Sequence, residues 1–234
     1  MLRTLPSPGK RAEPRRARGL RTRSAILRRA VDIASAEGLE GLTVGRLAHE
    51  LGMSKSGLFA HFGSKEELQL ATVDMARQIF IDHITRPALS APKGMPRLWS
   101  IIDRWLAHIE QGMFRGGCFF TAASFEFDSR RGPVRERIAE IMREWMDVLV
   151  RALEQAQVAG HIKSDVDPVH LAFEIQSLAI GGHWANQLLD DRQSYSRSRA
   201  VMLEKLRGAA TLQCPSLPTG KISPRRKRTR SNPH

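Results

Sequence analysis

The sequence predicts an all-α fold. Apolar residues recur at three- and four-residue spacings along most of the chain, and no stretch shows the apolar–polar alternation of a half-buried strand. Ala, Leu and Arg are abundant over Thr, Tyr and Val, a balance that favours helices. No internal repeat and no phosphate-cradling glycine loop is present. At 234 residues the chain can bury a core as one large domain or two smaller ones.

The first two helices are predicted from apolar spacing and from the residues at their ends. The first covers residues 21–37, where apolar side chains share one helical face, and Gly38 is placed to end it. Thr43 is a favourable N-cap for a second helix over residues 44–50, which Gly52 breaks.

Two more helices follow that glycine. Ser54 can cap a short third helix that ends at about Phe62. Ser64, with Glu67 three residues later, forms a capping box for a fourth helix that runs to about residue 85. These short, closely spaced elements predict a compact N-terminal bundle.

Residues 86–96 contain three prolines and a glycine and are predicted to be a linker. Asp167 and Pro168 form an N-cap and first-turn signal for a later helix. The helices predicted beyond the linker are 97–112, 119–128, 134–159, 168–189 and 194–206. We divide the chain into a disordered basic arm (1–20), a three-helix N-terminal domain (21–66), a larger helical domain (67–208) and a disordered basic tail (209–234).

The excess positive charge of the sequence, +13 in total, lies at its two ends. Residues 1–23 carry eight Lys and Arg against one Glu, residues 215–234 carry six against no acid, and the remainder is neutral. Both ends are rich in Pro, Ser and Arg, which predicts disorder. Two interpretations stay open: basic arms that add attraction to phosphates, or solvated arms without a binding role.

Cysteine use and hydropathy favour the cytoplasm. Cys118 and Cys214 are far apart and form neither a metal-ligand spacing nor a disulfide framework. No stretch approaches the roughly 20 apolar residues that span a bilayer, and the N-terminus lacks the apolar core of a signal peptide. We therefore expect a cytoplasmic protein without membrane association.

Residues 43–62 form two helices that cross at a sharp turn. Ala48 allows the close crossing, and Gly52 tolerates a left-handed backbone at the turn. The outer face of the second helix carries short polar, basic and aromatic side chains that suit a DNA major groove: Ser54, Lys55, Ser56, Phe59 and His61. Tight helical hairpins also occur in ordinary helical proteins, so the pattern alone leaves that alternative open.

The segment from Gly41 to Leu68, GLTVGRLAHELGMSKSGLFAHFGSKEEL, resembles the DNA-binding domain of the tetracycline-repressor (TetR) family. The similarity covers about residues 21–85, and beyond it only helix count and the GGCFF and GPVRERI segments are similar. One departure is Phe59, where many members carry Tyr, so a phenol hydroxyl is not available to a phosphate. The resemblance implies a helix-turn-helix DNA-binding domain followed by a regulatory and dimerisation domain.

The resemblance also implies roles for individual residues. Thr43 would contact a phosphate with Arg46 nearby, and Gly57 would let the recognition helix approach DNA closely. His61 and Lys65 would meet further phosphates, and Phe62 is expected in the core. The predicted DNA-binding residues are Thr43, Arg46, Ser54, Lys55, Ser56, Gly57, Phe59, His61 and Lys65.

A symmetric dimer on a palindromic operator is expected, because one helix-turn-helix buries too little surface for specific affinity. Residues 168–189 and 194–206 are the preferred dimer interface, with an intramolecular core as the alternative. Small residues (Ala179, Gly181, Gly182) and apolar ones (Leu171, Phe173, Ile175, Leu178, Trp184) would form it.

A small-molecule effector is the second implied partner. Aromatic and methionine side chains could line its cavity or belong to the ordinary core, and none is assigned as a contact: Trp99, Trp105, Phe119, Phe120, Phe125, Met142, Trp145 and Met146. Glu126 and His183 are possible polar contacts for such a ligand. The implied function is a repressor that its effector releases from DNA.

No pattern indicates catalysis, a cofactor or a metal site. The eight histidines form no i, i+4 pair with a supporting carboxylate. Glu136, Glu140 and Glu144 alternate with arginines, which favours a solvated ion-paired face. Two other function classes stay open: a non-specific architectural DNA binder acting through its basic ends, and a helical small-molecule-binding or catalytic protein that does not use its helix-turn-helix.

Overall fold

The computed structural model describes residues 12–218, and their side chains apart from those of residues 12–16 and 18. Within this range the regular structure is helical, with one isolated β-bridge between Ile162 and Ala210. The helices are α1 (Ala12–Glu37), α2 (Val44–Leu51), α3 (Lys55–Phe59), α4 (Lys65–Phe80), a π-helical turn (Ile81–Thr85), α5 (Arg86–Ala88), α6 (Met95–Glu110), α7 (Phe119–Phe127), α8 (Pro133–Val158), α9 (Pro168–Leu188) and α10 (Ser194–Ala209). The all-α prediction is confirmed.

The ends of most helices follow from local chemistry. Ser64 Oγ accepts the Glu67 N–H at 3.0 Å, while Glu67 reaches back to the Gly63 N–H at 3.0 Å, one residue earlier than in a standard capping box. Asp167 caps α9 by accepting the Val169 N–H at 2.8 Å. Side chains that satisfy the first free N–H groups therefore set these helix starts, as the sequence indicates.

The described residues form two compact units, each built from two segments of the chain. The N-terminal unit contains residues 12–83 and 112–143, and the C-terminal unit contains residues 84–111 and 144–218. The predicted division after residue 66 falls inside the N-terminal unit. Both α4 and α7 pack on α1, so the N-terminal unit extends past the three-helix domain and includes a segment distant in sequence.

In the N-terminal unit, α1 is the central element. It packs against α2, α4 and α7 and has apolar side chains on its buried faces. Its core includes Ile26, Leu27, Ala30, Val31, Ile33 and Ala34, all at most 4% exposed. Leu47, Leu58 and Phe62 are also buried here. The removal of this apolar surface from water fixes the short helices α2 and α3, which are too short to be stable alone.

In the C-terminal unit, α9 and α10 pack closely. A Cβ atom added to Gly182 would lie 2.3 Å from Ser198 Oγ, so only glycine permits this approach. Trp105 and Trp145 meet edge to face at 4.9 Å, and Trp145 Nε1 donates to Gln176 Oε1 at 2.9 Å in the interior. Trp105 and Trp145 thus belong to the core of this unit.

The predicted basic arm and tail are both shorter than expected. Helix α1 begins at Ala12, not at residue 21, because adding turns to an existing helix gains one hydrogen bond for each residue fixed. At the other end, Thr211 N–H donates to the His161 carbonyl at 3.1 Å, so the first residues of the predicted tail are ordered. Residues 1–11 and 219–234 of these two segments lie outside the described residues.

Candidate nucleic-acid interface

The turn between α2 and α3 is set by three local features. Thr43 Oγ1 accepts the Arg46 N–H at 3.0 Å and begins α2. Gly52 ends α2 in the left-handed region, with φ of 62°. The next residue, Met53, donates its N–H to the Ala48 carbonyl at 3.0 Å, and Ser54 then caps α3. The chain therefore reverses direction within three residues and places α3 across α2.

One face of this pair of helices is anchored in the core. Val44, Leu47 and Ala48 of α2 and Leu58 of α3 are buried. The opposite face of α3 is exposed at Ser54, Lys55, Ser56 and Phe59, with 51% of Phe59 accessible. An apolar inner face and a polar, basic and aromatic outer face give a helix that is held rigidly and free to enter a groove.

The serines at the start of α3 are partly occupied within the protein. Ser54 Oγ accepts the Gly57 N–H at 3.1 Å and lies 3.3 Å from Ser56 Oγ. A Cβ on Gly57 would come within 3.0 Å of Ser54 Oγ, so glycine keeps this cap uncrowded. Ser54 therefore acts first as the N-cap of the helix, and Ser56 has the more available hydroxyl.

Lys55 lies where α2 and α3 meet. Its Cε would be 3.4 Å from a Cβ built on Gly45, and Thr43 Oγ1 would be 3.9 Å from that same position. Thr43, Gly45 and Lys55 thus form one continuous surface. Among the ion pairs of the described residues, none involves Lys55, so its charge faces solvent.

At the end of α3, Phe62 is only 1% exposed, which confirms it as a core residue. The Arg23 guanidinium lies 4.9 Å from the Phe62 ring centroid and covers that ring from α1. His61 is half-buried beside it, with ring centroids 6.3 Å apart. The middle of α1 is therefore next to the segment that directly follows α3.

Arg46 and Lys65, two of the predicted phosphate contacts, are engaged by carboxylates. Arg46 Nε and Nη2 donate to the two oxygens of Glu37 at 2.9 and 2.6 Å, and Nη1 donates to Glu50 at 2.9 Å. Lys65 Nζ donates to Glu40 at 2.6 Å. Hydrogen bonds from Arg46 and then Arg29 lower the pKa of Glu50 to about 2, so that carboxylate stays ionised at neutral pH.

The Arg46 contacts, but not the Lys65–Glu40 pair, belong to a closed cycle of alternating charges, called here the charge ring. Its pairs in order are Arg29–Glu50, Glu50–Arg46, Arg46–Glu37, Glu37–Arg115, Arg115–Asp32 and Asp32–Arg29. The ring connects α1, α2 and the loop before α7. Two pairs of the ring have helical spacing in the sequence: Arg46 with Glu50 at i, i+4 and Arg29 with Asp32 at i, i+3. The other four pairs are formed only in the tertiary structure.

Glu126, considered from the sequence as a possible polar contact for a ligand, has partners within the protein. Its two carboxylate oxygens accept the N–H groups of Leu39 and Glu40 at 2.8 and 2.7 Å. Gln69 Nε2 donates to the Leu39 carbonyl at 2.9 Å from α4. The loop between α1 and α2 is therefore held by α7 and α4.

Two family models match the chain. Residues 26–72 match "Bacterial regulatory proteins, tetR family", and residues 94–202 match "Tetracyclin repressor-like, C-terminal domain". The first match contains α2 and α3, and the second covers most of the helices that follow α5. The chain belongs to the TetR family. It is a DNA-binding transcriptional regulator, since that is the activity of the family whose two domains it carries in order.

Solved TetR-family structures share this fold at low sequence identity. A TetR regulator from Chloroflexus aurantiacus is 22% identical, with a TM-score of 0.75 over 83% of this chain and 98% of that one. A regulator from Streptomyces coelicolor is 23% identical, with a TM-score of 0.68 over 80% and 96%. AibR, solved in complex with isovaleryl coenzyme A and operator DNA, is 22% identical, with a TM-score of 0.62 over 78% and 97%. A search of curated proteins finds no match.

In this TetR-family chain, the predicted dimer residues divide between two faces of α9. Leu171, Ile175, Ala179 and Gly182 are buried inside the protomer, which corrects their assignment to an interface. The exposed residues form a separate stripe along α9: Val169, Phe173, Gly181, Trp184 and Leu188. A groove of about 390 Å³ beside this stripe is lined by Gly181, Gly182, Ala185 and Val201, among others.

The side chains considered for an effector cavity have different surroundings. Phe119 and Phe120 are buried and stack edge to face at 5.2 Å, whereas Phe125 is 60% exposed. His183, like Glu126, has a partner within the protein, because its Nδ1 lies 3.1 Å from the Tyr195 hydroxyl.

Among the described residues, no helix is long and apolar enough to cross a bilayer. No group of three or more His, Cys, Asp or Glu side chains among them is arranged to hold a metal ion.

Proposed function

We propose that this TetR-family regulator is a homodimeric, sequence-specific repressor that binds a palindromic operator and is released by a small-molecule effector. The observation that carries the proposal is the exposed outer face of α3 on a helix pair whose inner face is buried. A rigid helix with short polar and basic side chains can follow the major groove and contact base edges.

The residues of this surface have distinct proposed roles. Lys55 and Ser56 reach base edges and the adjoining backbone, and Thr43 meets a phosphate at the start of α2. Ser54 and Gly57 shape the start of α3 so that it can approach DNA closely. Phe59 packs against a sugar or a thymine methyl, and His61 faces a phosphate. Arg46 and Lys65 meet phosphates when these replace their carboxylate partners.

The dimer is proposed to form through the exposed stripe of α9. Val169, Phe173, Trp184 and Leu188 are each at least 53% exposed, and Gly181 lies between them on the same helix. Large apolar side chains in a continuous stripe are costly in water, and a second copy related by a two-fold axis would cover them. Two recognition helices about one DNA turn apart then read the two half-sites.

The effector is proposed to act by binding one dimer conformation better than another, which shifts the population away from the form that fits the operator. AibR, one of the similar structures, was solved with isovaleryl coenzyme A and operator DNA, which makes an organic small molecule a reasonable class of effector to test here.

The experiment selects binding sites from fragmented genomic DNA at near-physiological salt. It compares the full chain, a version lacking residues 1–11 and 219–234, and the Lys55→Ala variant. We expect one palindromic motif from the full and truncated chains. Loss of a bidentate or phosphate contact at Lys55 should weaken operator binding by roughly five- to a hundredfold for each half-site.

The outcomes separate the open alternatives. Unselective binding that disappears with the two ends would indicate an architectural DNA binder and overturn the proposal. Operator affinity that is unchanged in Lys55→Ala would remove the central contact but leave the regulator. DNA binding that is absent under all conditions, together with binding of a small molecule, would favour a helical ligand-binding protein.

A further inference from the structure

The cationic side chains near the recognition surface are of two kinds. Lys55 has no ion-pair partner among the described residues, whereas Arg46 and Lys65 each donate to carboxylates of the same unit. Arg46 follows Gly45 in the chain, and a Cβ built on Gly45 would lie 3.4 Å from Lys55 Cε. The paired residue Arg46 and the unpaired residue Lys55 thus belong to the same surface. The same surface thus presents one available positive charge and others whose charge is balanced.

Arg46 is held in a strong arrangement. Three of its N–H groups donate to Glu37 and Glu50 at 2.6 to 2.9 Å, and the Glu37 contact is bidentate. Glu37 and Glu50 are themselves placed by Arg115 and Arg29 in the charge ring. A phosphate that approaches Arg46 therefore has to compete with Glu37 and Glu50 for its charge.

Lys65 is held in a parallel arrangement at the start of α4. Glu40 accepts from Lys65 at 2.6 Å and from the Arg130 guanidinium at 3.0 Å. Gln69 Nε2 also lies 3.5 Å from the Glu40 carboxylate, so three side chains hold this group in place. A phosphate that approaches Lys65 also approaches Glu40, and the two negative charges repel each other.

We propose that Arg46 and Lys65 are conditional phosphate contacts: Glu37 and Glu40 keep them paired on non-specific DNA, and they exchange to phosphate only when α3 is seated in its operator. Loose, sequence-independent complexes leave a layer of water and ions between protein and DNA, and there the close intramolecular pair is the stronger contact. In the seated complex a phosphate reaches hydrogen-bonding distance and replaces the carboxylate.

Salt dependence measures this exchange directly. Each phosphate neutralised by a cation contributes about 0.9 to the slope of log affinity against log salt. The proposal therefore expects Glu37→Gln and Glu40→Gln to steepen the slope on a non-operator duplex by about 0.9 for each freed cation. Their slope on the operator should stay unchanged, because Arg46 and Lys65 already contact phosphates there.

The experiment titrates the full-length protein with a non-operator duplex and with the selected operator between about 50 and 200 mM salt, the range over which ionic contacts dominate affinity. Glu136→Gln on α8 is the matched control, because it removes the same charge from an exposed position outside the charge ring. We expect the control to have the wild-type slope on both duplexes.

Arg46→Gln gives a second test that does not depend on the carboxylate variants. It should flatten the operator slope by about 0.9 per lost contact and leave the non-operator slope unchanged. An unchanged non-operator slope in both Glu37→Gln and Glu40→Gln, or an equal steepening in Glu136→Gln, would overturn the proposal. So would an unchanged operator slope in Arg46→Gln.

The inference rests on the proposed operator binding, and the two can fail separately. A wild-type protein that selects no operator contradicts the proposed function. A wild-type protein that selects an operator, with variant slopes that do not change, contradicts only the conditional contacts.

Discussion

Individual side chains on α3 differ in the hydrogen-bonding capacity they have left. Ser54 is used as a helix cap, Lys55 has a free charge, and Phe59 exposes half of an aromatic ring with no polar atom. The ring can contribute apolar contact to a groove, but it cannot satisfy a phosphate oxygen. A single added oxygen at Phe59 is therefore a simple way to examine how close this position comes to the DNA backbone.

We expect Phe59→Tyr to tighten operator binding by up to about fivefold, which corresponds to one net hydrogen bond of about 1 kcal/mol. Because the side chain is exposed, the hydroxyl has no desolvation cost in the free protein. Binding to a labelled operator duplex measures the change. Phe125→Tyr, at an exposed position of α7, is the control. Weaker binding would show that position 59 packs against an apolar surface with no room for the hydroxyl.

His183 is a residue whose burial has a pH consequence. Burial lowers the pKa of this histidine from its ordinary value of 6.5. Below about pH 6.5 the unfolded chain therefore binds a proton that the folded chain resists, and the free energy of unfolding falls as the pH decreases through this range. The effect is absent above the unfolded pKa, where both states are neutral.

We expect His183→Gln to reduce the difference in Tm between pH 7.5 and pH 5.5 relative to wild type. Thermal unfolding followed by circular dichroism measures it, with His49→Gln, an exposed position on α2, as the control. A pH difference in Tm that is the same in wild type and His183→Gln would show that burial of this histidine does not affect stability.

At the scale of helices, α9 has two faces with different surroundings. Its buried face packs against α10 inside the protomer, and its outer face exposes Phe173 and Trp184 at 64% and 53%. Helical spacing predicted the helix well, but apolar residues surround much of its circumference. For that reason the sequence could not separate the residues facing the protomer core from those facing solvent.

We expect the double variant Phe173→Glu/Trp184→Glu to remain folded and to become monomeric, because charges on an exposed stripe disturb only an interface between copies. Sedimentation velocity measures the mass, and circular dichroism checks the fold. Gln155→Glu, at an exposed position of α8, should stay dimeric. A dimer that persists in the double variant would place the interface on another surface.

The same contrast explains how much of the candidate site could be predicted. Thr43, Ser54 and Gly52 act through neighbours three or four residues away, so sequence alone located the caps and the turn. Glu126 and Arg115 act on residues more than 70 positions earlier, and no local pattern shows that. The ion pairing of Arg46 was also missed, because its partner Glu37 belongs to a different helix, α1.

At the scale of the whole molecule, the DNA-binding unit is assembled from two distant segments. The loop before α7 packs so closely on α1 that a Cβ on Gly116 would lie 1.7 Å from the Ser35 carbonyl oxygen. Glu126 adds two hydrogen bonds to the loop that leads into α2. The stability of the helix-turn-helix therefore depends on residues that follow it by more than 50 positions.

We expect Glu126→Gln to lower the free energy of unfolding by about 1–3 kcal/mol, because the amide can accept only one of the two N–H groups and leaves the other without its partner. Urea denaturation measures the loss, and Ser124→Ala, two residues earlier on α7, is the control for a change on the same helix. Equal stability of Glu126→Gln and wild type would show that water replaces the carboxylate at no cost.

The two-segment DNA-binding unit limits how this regulator can be recombined with others. A chimera that joins residues up to the end of α4 to a foreign sensor would receive another protein's segment opposite Ser35, Leu39 and Glu40. Such a hybrid would need a glycine where Gly116 lies and a carboxylate where Glu126 lies. Without them, the transferred helix-turn-helix would lose the contacts that hold α1 and the loop before α2. Crossover points for biosensor engineering should therefore keep residues 112–130 together with the helix-turn-helix.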